Sequence, residues 1–153
     1  MTDVMLTTGG YTFTFQNGDV TKITSKIVTN IEVTSISGFG PLGGYIYDYE
    51  GVTKQIAISG RLTVASSTRV SGYSVTAILT QKQWLESVAN GIQGAIEFDS
   101  NYESQSVLSS SSPTAPFLGS FSTTYCKIAS LEFNEEEANP DMLPFTMVLE
   151  VGL

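Results

Sequence analysis

No histidine occurs anywhere in the 153 residues. That removes both the commonest general base and the commonest transition-metal ligand. A single cysteine, Cys126, excludes a disulfide within the chain and a cysteine metal cluster. Charged residues make up only 14% of the sequence, against about a quarter in an average soluble domain. Seven basic residues stand against fifteen acidic ones, for a net charge of −8. The basic stripe that grips phosphates is therefore missing, and direct nucleic-acid binding is not expected. No apolar run approaches the ~20 residues of a membrane-spanning helix. The opening MTDVMLTTGG lacks the basic flank and apolar segment of a signal peptide. The expectation is a soluble protein kept inside the cell, or in a particle assembled there.

Thr, Ser and Gly take the share that charge leaves, beside 41% hydrophobic residues. Thr, Val, Ile, Tyr and Phe suit a pleated sheet, so the composition predicts a mainly β protein. The length fits one domain over residues 1–153. Charge is uneven along it. Residues 1–76 hold five acids and five bases, whereas residues 77–153 hold ten acids and only Lys82 and Lys127.

Asn17-Gly18 between alternating segments predicts a hairpin, since both turn residues accept positive φ. A β-prone run without Pro or Gly then extends from Asp19 to Ser37. One parity (Ile23, Ser25, Ile27, Thr29, Ile31, Val33) is mostly apolar; the other (Lys22, Thr24, Lys26, Val28, Asn30, Glu32) is mostly polar. Unbroken, it would reach about 60 Å, several times an ordinary strand. A bulge or a strand that outgrows its own domain is expected. A glycine-rich loop at 38–44 separates it from a second long segment, 43–66, in which Gly60 marks a bulge or a close backbone approach.

YSVTAIL, residues 73–79, reads as a strand. Thr80-Gln81-Lys82-Gln83 reads as a capping box opening one short helix over about residues 81–90. Trp84, Leu85, Val88 and Ala89 form its apolar stripe, and Asn90-Gly91 its stop. GAIEFDS, TTYCKIASLEF and PFTMVLEV read as strands, with Cys126 at a buried position. The Ser/Pro-rich stretch 103–120 reads as a mobile loop or an arm that orders against a neighbour.

NEEEANPDMLP carries Glu135, Glu136, Glu137 and Asp141 between two apolar-alternating strands. Consecutive side chains in an extended segment point opposite ways, and the ligand spacing and central glycine of a calcium loop are absent. A solvated hairpin tip is expected. No nucleophile–base set is available, so no catalytic, cofactor-binding or metal residues are assigned and the chain is not read as an enzyme.

KQIAISGRLTV, TQKQWLESVANG running into GAIEFDS, and IASLEFNEEEANPDMLPFTMVLEV together resemble the tail-tube-like proteins of bacteriophages and contractile injection machines, including baseplate, distal-tail and tube-initiator proteins. The resemblance spans roughly residues 43–153. It implies a β-sandwich or split β-barrel with long hairpins and one packed helix. It also implies a homohexameric ring in the virion tail, joined to neighbouring tube or baseplate proteins, with DNA passing through the channel without specific binding and no membrane contact. A weakly charged, net acidic ring suits moving DNA, because like charges keep phosphates from adhering. Lys22 and Lys26, on the polar parity, depart from a uniformly acidic channel. The competing expectation is a carbohydrate- or ligand-binding β-barrel or lectin-like module, with Tyr45, Tyr47 and Tyr49 beside Asp48 and Glu50 as a sugar platform.

Overall fold

A computed structural model describes residues 4–35, 44–103 and 126–151. The glycine-rich loop at 38–44 lies outside them except for Gly44, and the Ser/Pro-rich loop at 103–120 lies outside them beyond Glu103. The described chain is mainly β, in two antiparallel sheets with one helix and no closed barrel. Strands β1 (Met5–Thr8), β2 (Tyr11–Thr14) and β5 (Glu97–Asp99) form a three-stranded sheet in the order β2-β1-β5. Strands β3 (Val20–Ser35), β4 (Gly44–Thr63), β6 (Cys126–Phe133) and β7 (Met142–Val151) form a four-stranded sheet in the order β3-β4-β7-β6. Helix α1 spans Ile78–Ala89.

Period-two alternation decides what each sheet buries. On β4 and β7 the buried residues pair across the ladder: Ile56 with Leu149, Ile58 with Met147, Leu62 with Leu143. Leu6, Phe13, Phe15 and Phe98 of the smaller sheet and its flank join these in one core. Phe15 stacks on Phe145, ring centroids 5.4 Å apart, and Phe13 meets Phe15 edge to face at 4.9 Å. A register shift between Ile128 and Ser130 keeps both halves of β6 useful to the core. Without that extra residue Leu131 and Phe133 would turn away from the core that Cys126 and Ile128 face. Cys126 is fully buried, donates to the Ile96 carbonyl at 3.2 Å, and has its thiol pushed up to about 12 by burial.

Three local expectations are corrected. Asn17-Gly18 is a turn but not a hairpin, because β2 and β3 belong to different sheets. One edge of β2 pairs with β1, and the other is met by Arg69 and Val70 (Thr14 N donates to Arg69 O at 3.0 Å), leaving β3 no edge to join. The hairpin forms instead at Gly9-Gly10, where both residues have positive φ and Thr8 faces Tyr11. Residues 73–77 are not a strand: they fold back so that Arg69 N reaches Val75 O and Ala65 N reaches Thr76 O, burying Val75. Finally, α1 starts three residues before the expected position, at Ile78 after Ala77, with no side-chain cap. Thr80 donates its hydroxyl backward to Ala77 O at 2.8 Å. What anchors the first turn is Gln81, fully buried, whose amide donates to the Thr63 and Thr76 carbonyls at 2.8 and 2.9 Å.

Gly60 is required by contact with the backbone opposite. A Cβ there would lie 2.0 Å from the Asp19 carbonyl oxygen, which accepts the Arg61 N–H at 2.8 Å. Gly60→Ala should therefore cost more than ~2 kcal/mol, the upper range of overpacking, read as a lowered urea midpoint; a loss within ~0.5 kcal/mol would show that the strands do not approach so closely.

The buried side chain of Asp19 accepts from Thr63 at 2.9 Å, while its other oxygen has no hydrogen-bond partner. Burial raises its pKa above 3.8, opposed by the Thr63 hydrogen bond and the positive charges of Arg69 and Arg61. A raised folded-state pKa contributes stability below the unfolded value that is lost as pH rises through the folded one. The stability of the native chain minus that of Asp19→Asn should thus fall as pH rises above about 4, the unfolded value. A difference that rises with pH over that window would reverse the sign of this assignment.

Candidate functional site

The longest hairpin extends beyond the core that supports it. Residues 55–60 of β4 are paired on both sides, with β3 and with β7, and residues 61–63 pair with β7. Residues 44–54 pair with β3 alone among the described residues. Opposite them, residues 27–35 of β3 have β4 as their one partner among the described residues. The outer halves therefore make a two-stranded arm, about 33 Å long at ~3.3 Å per residue. A register shift between Thr29 and Ile31 adds a local twist partway along it.

The arm carries apolar side chains on both faces. Ile27, Val28 and Ile31 are about half exposed, and Val33 is 62% exposed. Ile27 and Val28 are neighbours, so they point to opposite sides of the ribbon. The expected apolar face of β3 is thus buried only at its start. Val20 and Ile23 pack on the core; from Thr24 onward every residue of β3 whose side chain is described is exposed. The reason is geometric: Ile56 and Leu149 are the last paired core residues on that side, and beyond them no described strand or helix packs on either face of the ribbon.

A charged clamp marks the point where the arm leaves the core. Lys54 Nζ meets Glu103 Oε2 at 2.9 Å, with both side chains about nine-tenths buried. The other Glu103 oxygen accepts from Ser25 at 2.7 Å. Glu103 is held in turn by Ser100, through a backbone bond of 2.7 Å and a side-chain bond of 3.2 Å. One carboxylate therefore fastens the turn after β5 to both strands of the arm. The amino-acid sequence shows Lys54 and Glu103 as two of many polar residues, and nothing in it signals the pair.

The opposite edge of the large sheet is partly closed. Cys126 and Ile96 exchange two backbone bonds, at 2.8 and 3.1 Å. The Gln93 side chain then takes the place of a strand: its amide donates to Ile128 O at 2.9 Å and accepts from Ile128 N at 2.7 Å. Edge groups covered in this way cannot pair with another chain. Among the described residues β3 is the more open edge of this sheet.

The remaining residues singled out in the sequence fall elsewhere. Glu135, Glu136 and Glu137 are exposed on the β6–β7 loop, where Asn139 N donates to Glu136 O at 3.1 Å. They rim a shallow cleft shared with the start of α1, including Leu79 and Lys82. Lys82 pairs with Glu86 at 2.9 Å, and that hydrogen bond, with a smaller contribution from Glu135, raises its pKa. Tyr45, Tyr47 and Tyr49 are on the outer half of β4, opposite residues 32–34 in the case of Tyr45 and Tyr47; their side chains lie outside the described residues. Lys22 and Lys26 are both exposed on β3. Among the described residues no helix is long and apolar enough to cross a membrane. In comparisons with known proteins, no protein-family model and no curated protein matched the chain.

The clamp yields a stability test. Lys54→Met alone, or Glu103→Gln alone, leaves a buried charge without its partner and should cost about 3 kcal/mol. The double replacement should recover at least half of that loss, because neither charge then remains. Urea unfolding of the four proteins measures the coupling; additive losses would mean that the two side chains do not act as a pair.

Proposed function

We propose that this chain is a structural subunit of a phage tail, forming a homohexameric ring of the tail tube or its baseplate-proximal end around the DNA channel. The observation that supports the reading is the arm. A free two-stranded ribbon is marginally stable in water, and open strand edges pair readily with other chains. A ring supplies both missing contacts, since each copy can cover the arm of the next and closure leaves no edge over. Burying Ile27, Val28, Ile31 and Val33 from their half-exposed state would contribute on the order of 1 kcal/mol each. Six such contacts close on themselves, so modest contributions per subunit accumulate.

The charge pattern agrees with a conduit for nucleic acid. The chain has a net charge of −8 and few charges in all, so phosphates find little to bind. In this reading the protein acts in the virion as a scaffold and catalyses no reaction. Its partners are further copies of itself and the adjoining tube or baseplate proteins.

Light scattering coupled to size separation tests the reading directly. The native chain should run as a hexamer or as stacked rings. Replacing residues 28–53 by an Asn-Gly turn keeps the Ile27–Lys54 pair and the Glu103 clamp but removes the arm. That variant should run as a folded monomer with a cooperative thermal transition. A native chain that stays monomeric at tens of micromolar, or an armless variant that still forms the ring, would sink the proposal.

A further inference from the structure

The arm leaves one built feature unexplained, a cleft of about 400 Å³ at the Gly9-Gly10 end of the β1–β2 hairpin. None of the residues lining it belongs to the arm. Three aromatic side chains line it, beside the aliphatic Val88 and Ile92. Tyr11 and Tyr73 meet edge to face with centroids 5.3 Å apart and an interplanar angle of 74°, their hydroxyls 3.3 Å apart. Both are about half exposed. Trp84 also lines the cleft, and Phe13 stacks on its indole at 5.1 Å and 25°, fixing the ring from the core side. The Tyr73 loop is braced by Thr68, whose hydroxyl bonds the Tyr73 carbonyl and accepts from Val75 N at 3.0 Å.

The polar groups beside these rings have a defined sense. Ser87 donates its hydroxyl proton to Trp84 O at 2.6 Å, and Thr8 donates its own to Ala95 O at 3.3 Å. Both hydroxyls therefore face a ligand as acceptors. Asn90 adds an amide with both functions, and among the described residues no Asp, Glu, Lys or Arg lines the cleft. A charged ligand would find no counter-ion there. A purely apolar ligand would leave the acceptors without donors, at the cost of desolvating them. A proline-rich segment, the usual guest of an aromatic groove, has no N–H at its prolines to offer them.

We propose that this cleft binds a neutral saccharide of one or two pyranose units. A pyranose has an apolar C–H face that packs on an aromatic ring and a rim of hydroxyls that donate to acceptors such as Ser87 and Thr8. The cleft volume falls in the range of small-ligand sites. The inference does not rest on the ring reading, and the two fail separately: one concerns assembly mass, the other the environment of a single indole.

Trp84 is the chain's sole tryptophan, so its fluorescence reports the cleft without a label. Titrations with glucose, galactose, N-acetylglucosamine, maltose and cellobiose should give a saturable change for at least one sugar. Tyr73→Ala should weaken that binding at least tenfold, and Ser87→Ala should weaken it severalfold, both with an unchanged thermal transition. A tetraproline peptide serves as the control guest and should give no saturable change. The proposal is overturned if no sugar gives saturation, if Tyr73→Ala responds as the native chain does, or if the tetraproline peptide alone is bound.

Discussion

Strand β4 is longer than the core it crosses, and most of the architecture follows from that mismatch. Residues 55–60 have a partner strand on each side, and the core face of this half is closed by the smaller sheet. Residues 44–54 continue the same ladder with one partner only. The inner half fixes the direction of the outer half, because a strand with two neighbours cannot easily slip: a one-residue shift would turn Ile56, Ile58 and Leu62 to the opposite face. The contact of Gly60 with the Asp19 carbonyl sets where β3 begins against β4. At the other end of the paired core, Lys54 and Glu103 set where the arm departs. The arm is thus a ribbon carried on a rigid frame, with the described side chains of its β3 half exposed.

Energetics follow the same division. Around β4 and β7 the apolar pairs are fully buried, and each such side chain contributes on the order of 1.5–3 kcal/mol. Along the β3 half of the arm the described side chains are exposed, while ordering each residue costs on the order of 1–2 kcal/mol of backbone entropy. The covered edge of β6 is informative beside this. Gln93 and Ile96 satisfy backbone groups there, so pairing is restrained at one side of the sheet and left open at the other. In the proposed ring, that asymmetry would give association the direction a head-to-tail contact requires.

The helix links the frame to the aromatic cleft. Gln81 ties its first turn to the end of β4, and Leu85 enters the core. Trp84 is therefore presented on a fixed element rather than on a loop, with Phe13 behind it. The Tyr11–Tyr73 pair joins the hairpin turn to the loop before the helix. These three rings come from residues 11, 73 and 84, which no local pattern groups together. Their juxtaposition rests on the closure of the two sheets around Phe13.

What the sequence by itself determined was mostly periodic. Alternation over residues 19–37 and 43–66 announced long paired strands, and the spacing of Trp84, Leu85 and Val88 announced the helix; both are properties of neighbouring residues, legible without the fold. The glutamates of residues 135–137 could likewise be assigned to a hairpin tip. Tertiary structure decided the rest. It made Asn17-Gly18 a junction between sheets, because both edges of β2 were already occupied, and it moved the helix start to Ile78, because a buried Gln81 outweighed a surface cap. It paired Lys54 with Glu103 across 49 residues and exposed the apolar parity of β3 from Ile27 onward. Alternation states which side chains share a face; only the extent of the opposing layer decides whether that face is covered.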